Sequence, residues 1–262
     1  MEPLERSLIN LHPECFENAQ VISFVGAGGK TTSMFTLASD FRNAGETVLV
    51  TTTTAIYKPE EEPFDCLWLE AEAKNPLEEK NPANGITVWG DRVTEEKKLK
   101  GILPERLQKL IHQKRYNRVL IEADGSREKP MKASNETEPV MVASTDLVIG
   151  VMGMSALGQS ISETNIHRSA LFCQLTGMQA GQRISEESVA RLIAHPKGLF
   201  QYTPAKAKRV LLLNQADDER RRQQAAEIAA LLEKDPEKSR IDYILATSFD
   251  SSTYELIWSE GL

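Results

Sequence analysis

The amino-acid sequence predicts an α/β fold, in which a mostly parallel sheet carries helices on both faces. Two observations predict it. Short apolar segments rich in β-branched residues alternate with helical periods along the chain, the order expected of parallel strands that are connected by helices. Most of these apolar segments are nearly continuous rather than alternating, as in strands covered on both faces. With 262 residues, the chain is predicted to form a single domain over residues 1–262.

The elements follow in order from the amino end. A strand over residues 21–25 leads through a glycine-rich turn into a helix, whose apolar positions recur at i, i+3, i+4 and i+7 and which Gly45 ends. A second helix is predicted to begin at Pro104, and a last one to bury Ala225 and Ile228. Residues 57–84 and 181–204 are predicted as irregular excursions. Further strands are predicted at residues 47–50, 86–89, 118–121, 147–151, 209–213 and 243–245.

The composition excludes several classes of protein. There are 31 basic and 38 acidic residues, a net charge of −7, which argues against nucleic acid as the main ligand. A nucleotide is not excluded, because it needs only a local cluster of N–H donors. Cys15, Cys66 and Cys173 are widely spaced and indicate neither a disulfide framework nor structural zinc. No signal peptide or membrane span is predicted, so a cytoplasmic protein is expected; the oligomeric state stays open.

The segment GAGGKTT at residues 26–32 follows a buried strand and opens an amphipathic helix, which is the position of a phosphate-binding loop. Its glycines allow successive N–H groups to turn towards one point at the helix N-terminus. Lys30 is expected to bring a positive charge to the outer phosphates and to act in catalysis, and the Thr31 hydroxyl to complete a Mg²⁺ shell. The residues predicted to bind a nucleotide here are Gly26, Ala27, Gly28, Gly29, Lys30, Thr31 and Thr32.

The loop is shorter than the usual phosphate-binding loop. The pattern G-x-x-x-x-G-K-[ST] would begin at position 24, which is Phe24, so the loop is instead G-x-x-G-K-T from Gly26. This shorter form resembles the loop of the Mur ligases. The alternative interpretation is a glycine-rich turn with an incidental lysine. The strand, glycines, Lys-Thr pair and helix together favour a P-loop NTPase-like fold.

Two further segments are predicted to hold magnesium. The strand at residues 118–121 runs into Glu122 and Asp124, which point to the same face because they are two residues apart. This resembles a Walker-B segment: one carboxylate would hold the metal and the other would orient the attacking group. The hydroxyls of Thr52 and Thr53 follow the next strand and could reach the metal or the terminal phosphate. The alternative for Glu122 and Asp124 is a strand end followed by an Asp-Gly turn. The alternative for the threonines is that they are ordinary strand residues.

A group of cations lies downstream of the carboxylates. Arg127, Lys129 and Lys132 could bind a transferring phosphate or an acidic second substrate. His167 and Arg168, at the front of a predicted helix, are candidates for the same role. The alternatives are a solvated loop and an ordinary surface histidine.

Residues 214–217 (NQAD) directly follow a predicted strand. They resemble the N-K-x-D motif with which GTPases recognise guanine, so Asn214 and Asp217 are candidate base-binding residues. Gln215 replaces the lysine of that motif. The alternative is an asparagine turn, with Asp217 capping the following helix. The nucleotide could therefore be ATP or GTP.

Seven segments together, in this order, resemble the selenium-dependent hydroxylase accessory proteins, the YqeC-like family: GAGGKTT, TTTTAIYKP, IEADGSREKPMKA, EPV, MGMSALG, IHR and NQAD. The resemblance implies a Mg²⁺-dependent nucleoside triphosphate-binding protein that assists maturation of a selenium-dependent molybdenum hydroxylase. Turnover would be a slow NTP hydrolysis or a phosphoryl transfer. The alternative is a nucleotide-gated accessory protein that binds a client enzyme without significant turnover. A metal-delivery GTPase is disfavoured because the sequence has no Cys/His cluster.

Overall fold

The computed structural model describes residues 7–59, 64–72, 85–234 and 240–260 and is built around one large sheet. In chain order its strands and those of two small sheets are β1 Val21–Gly26, β2 Val48–Thr52, β3 Ala55–Tyr57, β4 Cys66–Leu69, β5 Ile86–Gly90, β6 Lys98–Lys100, β7 Arg118–Glu122, β8 Met131–Lys132, β9 Leu147–Gly153, β10 Ile166–His167, β11 Lys208–Asn214, β12 Tyr243–Ser248 and β13 Thr253–Ser259.

The large sheet has nine strands in the described ranges, in the order β13-β12-β11-β9-β1-β7-β2-β5-β4. All neighbours are parallel except β12 and β13. Each strand predicted from a continuous apolar run is present. The α/β prediction is therefore confirmed, and the architecture is consistent with a P-loop NTPase-like fold.

Helices cover both faces of this sheet. They are α1 Leu8–Leu11, α2 Lys30–Asn43, α3 Pro104–His112, α4 Ser169–Thr176, α5 Glu186–Ala194 and α6 Glu219–Glu233. Because strand side chains alternate between faces, Phe24 packs in the cluster that contains the apolar residues of α2, whereas Val25 packs with those of α5 and α6. Helix α3 buries its apolar side in a third cluster, with Ile121. No helix in the described ranges has both the length and the apolar character needed to cross a membrane.

One of the two predicted excursions is more regular than expected. Residues 181–204 contain α5, which begins at a capping box between Ser185 and Ser188 and buries Leu192 and Ile193, so the prediction of irregular structure is wrong there. The other excursion, residues 57–84, contains the edge strand β4. Its residues 60–63 and 73–84 lie outside the described ranges.

The parallel order brings the chemistry-bearing segments to one edge of the sheet. Register pairs Glu122 with both Phe24 of β1 and Thr52 of β2, and Asn214 of β11 with Gly153 of β9. The carboxyl ends of these strands therefore lie at the same edge, where ligands bind in open α/β sheets. Two small sheets extend from it: an antiparallel pair of β3 and β6, and a parallel pair of β8 and β10.

Candidate functional site

The glycines of the loop at residues 26–32 are required by its conformation. Gly28 and Gly29 have φ angles of 88° and 117°, in the left-handed region that favours glycine. A Cβ on Gly28 would lie 2.4 Å from the backbone of Gly153, and one on Gly29 would lie 2.3 Å from Nδ2 of Asn214. The loop is therefore packed tightly against the ends of β9 and β11.

The backbone N–H groups of this loop divide into two sets. The N–H of Gly26 donates to Oδ2 of Asp124 (3.0 Å) and that of Ala27 to the Val151 carbonyl (2.8 Å). In the described part of the chain, no backbone carbonyl accepts from the N–H groups of residues 28–32, and no side chain caps helix α2. Residues 28–32 line a cleft of about 580 Å³. Such a row of donors at a helix N-terminus is suited to an anion.

Lys30 is held between the loop and the two carboxylates. Its Nζ donates to the Gly26 carbonyl (2.7 Å) and lies 2.9 Å from Oδ1 of Asp124 and 3.4 Å from Oε1 of Glu122. Burial of this lysine opposes its charge, but the attraction of Asp124 and Glu122 outweighs burial and raises its pKa. Lys30 is therefore a cation; the residue lines the cleft, while its side chain is only 2% exposed.

Glu122 faces the cleft together with Thr31. Its Oε2 accepts a hydrogen bond from the Thr31 hydroxyl at 2.7 Å. Burial raises the pKa of Glu122, and the Lys30 ammonium only partly offsets this. A carboxylate and a hydroxyl this close together fit the few protein ligands that Mg²⁺ takes when it keeps several waters. No cluster of three or more His, Cys, Asp or Glu side chains suited to a metal is present in the described ranges.

Asp124 lies deeper, in an ion network. Its Oδ2 accepts from Nζ of Lys132 (2.9 Å) as well as from the N–H of Gly26. Oδ1 has the Lys30 ammonium as its ionic partner, without the alignment of a hydrogen bond. Burial of Asp124 alone would raise its pKa, but Lys30 and Lys132 outweigh burial and lower it. Asp124 does not line the cleft.

The network continues away from the cleft and takes in two of the predicted second-substrate residues, Lys132 and Arg168, with a third, His167, beside them. Lys132 also contacts Oε2 of Glu138 at 2.9 Å, and the same oxygen accepts from Nη1 of Arg168 at 2.9 Å. His167 lies beside them, where burial and the positive charges of Arg168 and Lys132 lower its pKa. None of the three lines the cleft, whereas Arg127 and Lys129 do.

The predicted threonines also lie off the cleft. The Thr52 hydroxyl donates to the Glu122 carbonyl (2.8 Å), and the Thr53 hydroxyl donates to the Val140 carbonyl (2.7 Å). Both side chains tie neighbouring segments to the end of β2. In this conformation the structure brings Thr31, rather than Thr52 or Thr53, to the Glu122 carboxylate.

Asn214 braces the phosphate-loop segment. Its Nδ2 donates to the Gly28 carbonyl (2.7 Å), and its Oδ1 accepts from the Thr247 hydroxyl (3.1 Å). Asp217 accepts from Ser248 (2.7 Å) and pairs with Arg221 (2.9 Å). Neither Asn214 nor Asp217 lines the cleft.

The cleft is lined instead, next to the loop, by Gln215, whose Oε1 accepts from the Ser155 hydroxyl at 2.6 Å. Tyr57 of β3 and Lys98 of β6 are among the lining residues that the sequence did not predict. Tyr57 stands in the segment TTTTAIYKP, so its proximity to the threonines was a usable signal. The sequence gives no signal for Lys98, because β6 is only three residues long. Its partner strand β3 lies about 40 residues earlier in the chain.

The fold and the site define the class of protein: an α/β protein with a P-loop NTPase-like architecture, whose glycine-rich loop joins a central strand of a parallel sheet to a helix. The chain belongs to the YqeC family, because the family model described as YqeC protein matches residues 22–170. It is also 34% identical, over 197 residues, to a protein of Escherichia coli (strain K12) described as uncharacterized protein YqeC. That alignment covers 74% of this chain and 75% of the relative. The resemblance to the YqeC-like family that the sequence motifs indicate is confirmed.

Proposed function

We propose that the protein binds a nucleoside triphosphate with Mg²⁺ in this cleft and acts as a slow NTPase or phosphoryl-transfer enzyme. The observation that carries the proposal is the row of N–H groups at residues 28–32, which have no backbone acceptor in the described ranges and belong to residues lining the cleft. Phosphoryl transfer needs mainly positioning and neutralisation of charge, and both are available from this set of groups.

Each residue has a distinct part in this proposal. The N–H groups of the loop hold the phosphate oxygens, and Thr31 with Glu122 holds Mg²⁺, which neutralises charge on the phosphates. Lys30 supplies a positive charge beside the outer phosphates, and Asp124 positions it. Arg127 and Lys129 line the cleft and supply positive charge for the transferring phosphate or for an acidic second substrate beside it. Base recognition by Asn214 and Asp217 would need their present contacts to open.

The biological setting rests on family membership and on the sequence rather than on the site. We propose that the protein works in the cytoplasm and assists maturation of a selenium-dependent molybdenum hydroxylase. Both ATP and GTP are retained as candidate nucleotides, because the base-binding groups of the motif are engaged within the protein.

The test is a melting-temperature screen with ATP, GTP, CTP and ADP, each with Mg²⁺. A ligand at about 100 times its dissociation constant stabilises the folded state by about 2.7 kcal/mol. We expect Lys30→Ala to abolish that stabilisation. Thr31→Val should weaken it while keeping the fold, because Thr31 lies at the cleft rather than in the buried ion network. Lys109→Ala, an exposed lysine of α3, is the matched control. Unchanged stabilisation in both site variants would reject the proposal.

A nucleotide-gated accessory role without turnover is the second candidate. Arg127 and Glu128, in the loop that borders the cleft, have φ angles of 50° and 59°. Two successive residues in the left-handed region make a strained turn, which a bound nucleotide could rearrange. Multiple-turnover assays with and without the client enzyme separate the two roles. Product formation that does not need the client favours an enzyme.

A further inference from the structure

The cleft has two sides, which the strand order distinguishes. Strand β1, which carries the phosphate-loop segment, lies between β9 and β7. On the β9 side the lining residues are Ser155, Gln215 and Pro130, whose carbonyl accepts from the Gly153 N–H at 2.9 Å. On the β7 and β2 side they include Glu122 and the ribbon formed by β3 and β6, which follows the end of β2. A ligand longer than a phosphate group therefore meets different chemistry on the two sides.

The metal-binding pair marks the side on which the terminal phosphate would lie. Thr31 and Glu122 meet at the end of β7, on the ribbon side of β1. Thr31 and Glu122 would hold Mg²⁺, which would neutralise charge on the outer phosphates, so the terminal phosphate would lie on the ribbon side. The nucleoside would then extend away from it, and this step rests on the proposed function.

The ribbon is fixed firmly in that place. The N–H groups of Gly101 and Ile102 donate to the carbonyls of Thr54 (2.8 Å) and Thr52 (2.9 Å). A Cβ on Gly101 would lie 2.5 Å from the backbone of Thr53, so the two segments are in direct contact. The side chains on β3 and β6 are thus held relative to the carboxyl edge of the sheet, as a binding wall requires.

The ribbon offers an aromatic ring beside a cation. Tyr57 is 51% exposed although it lines a cleft, and Nζ of Lys98 lies 5.2 Å from the centre of its ring. Arg127 and Lys129 line the same cleft, with Glu128 between them in sequence. A partly exposed tyrosine ring provides a surface for stacking, and a nearby ammonium group can bind an anion.

We propose that the part of the cleft between the β3–β6 ribbon and residues 125–130 is a second-ligand site for a small planar aromatic anion. The ring of the ligand stacks on Tyr57, and its anionic group lies against Lys98 and the Arg127–Lys129 turn. In the nucleotide-loaded protein this ligand is adjacent to the terminal phosphate. Lys132, His167 and Arg168 take no part, because they lie off the cleft.

The test uses three probes on the full-length protein, by isothermal titration calorimetry with and without saturating Mg²⁺ and a non-hydrolysable nucleotide. 2-Naphthyl phosphate has both a flat ring and a charge, 2-naphthol lacks the charge, and cyclohexyl phosphate lacks the flat ring. We expect 2-naphthyl phosphate to bind roughly tenfold more tightly than either control, since stacking and charge each contribute.

Variants locate the binding. Tyr57→Ala should weaken 2-naphthyl phosphate binding by roughly tenfold, Tyr57→Phe should retain it, and Lys98→Ala should weaken it by a few fold. Tyr202→Ala, at another exposed tyrosine, is the matched control and should bind normally. Equal binding of the three probes, or unchanged binding to Tyr57→Ala, would overturn the site. A loss of nucleotide affinity in Tyr57→Ala, with the probe unaffected, would assign Tyr57 to the nucleobase and also overturn it. If Tyr57-dependent probe binding occurs but no nucleotide binds, the proposed function fails and this site stands.

Discussion

Glu122 and Asp124 lie two residues apart at the end of one strand, yet the structure gives them different surroundings. Glu122 meets the Thr31 hydroxyl and lines the cleft. Asp124 lies between two ammonium groups, those of Lys30 and Lys132, and is fully buried. The pKa of the first is raised by burial, and that of the second is lowered by its cations despite burial. Two carboxylates that are close in sequence therefore need not share one role.

The difference between Glu122 and Asp124 comes from charged residues further along the chain, which the sequence around residues 122–124 does not contain. Lys132 returns to Asp124 from β8, and Glu138 and Arg168 continue the alternation of charge beyond it. Removing one partner of a buried charge is costly, and Asp124 is buried between two ammonium groups. Glu122 lines the cleft, where its carboxylate meets the Thr31 hydroxyl and lies 3.4 Å from the Lys30 ammonium, so a ligand in the cleft can reach it. We therefore assign Asp124 to holding the loop and Glu122 to the proposed metal.

The largest expected effect is on stability. Asp124→Asn leaves Lys30 and Lys132 buried around a neutral amide, and we expect the free energy of unfolding to fall by about 3–5 kcal/mol. The matched variant Glu122→Gln should change it by only about 1 kcal/mol, because Lys30 keeps Asp124 as its partner. Urea unfolding at neutral pH measures both values. Equal losses in the two variants would remove the distinction between the carboxylates.

The pH dependence of the same variants sharpens the comparison. Because the pKa of Asp124 is lowered on folding, its stabilisation is present above the unfolded pKa of about 3.9 and is lost as the pH falls through the folded pKa. The wild-type advantage over Asp124→Asn should therefore shrink below about pH 4.

Glu122 should show the opposite sign. Its pKa is raised on folding, so the folded state holds the proton more tightly than the unfolded state does. Wild type should therefore lose stability relative to Glu122→Gln as the pH rises above about 4.3, the unfolded value for glutamate. Urea titrations across this range test the two signs, and slopes of the same sign would contradict the assignment.

Local sequence patterns were sufficient for the framework of the molecule. The continuous apolar runs of β1, β7, β9 and β11 predicted buried parallel strands, and the glycines before Lys30 marked the turn into α2. These signals lie within a few residues of each other, so periodicity and turn chemistry detect them. The positions of Thr31 and Glu122 could be predicted because parallel strands end at one carboxyl edge of the sheet.

The rest depends on contacts between distant segments. Strands β3 and β6 are three residues each, and β8 and β10 two each, which is too short for a period to appear. The positive charges of Lys132 and Arg168 made them candidates for binding a transferring phosphate or an acidic second substrate. The pairing of Arg168 with Glu138 could not be identified locally, because it spans 30 residues.

The smallest expected effect tests how far the network around Asp124 extends. Glu138 Oε2 contacts both Lys132 and Arg168 at 2.9 Å, and the Arg168 side chain is 25% exposed. Solvent screening and the remaining Lys132 contact limit the loss, so we expect Arg168→Met to lower the free energy of unfolding by about 1 kcal/mol or less. Arg222→Met, at an exposed ion pair of α6, is the control and should be close to neutral. A double-mutant cycle with Asp124→Asn should give a coupling below about 0.5 kcal/mol, because Arg168 and Asp124 share no direct contact. A larger coupling would show that Arg168 stabilises Asp124 through Glu138 and Lys132, and that the network behaves as one unit.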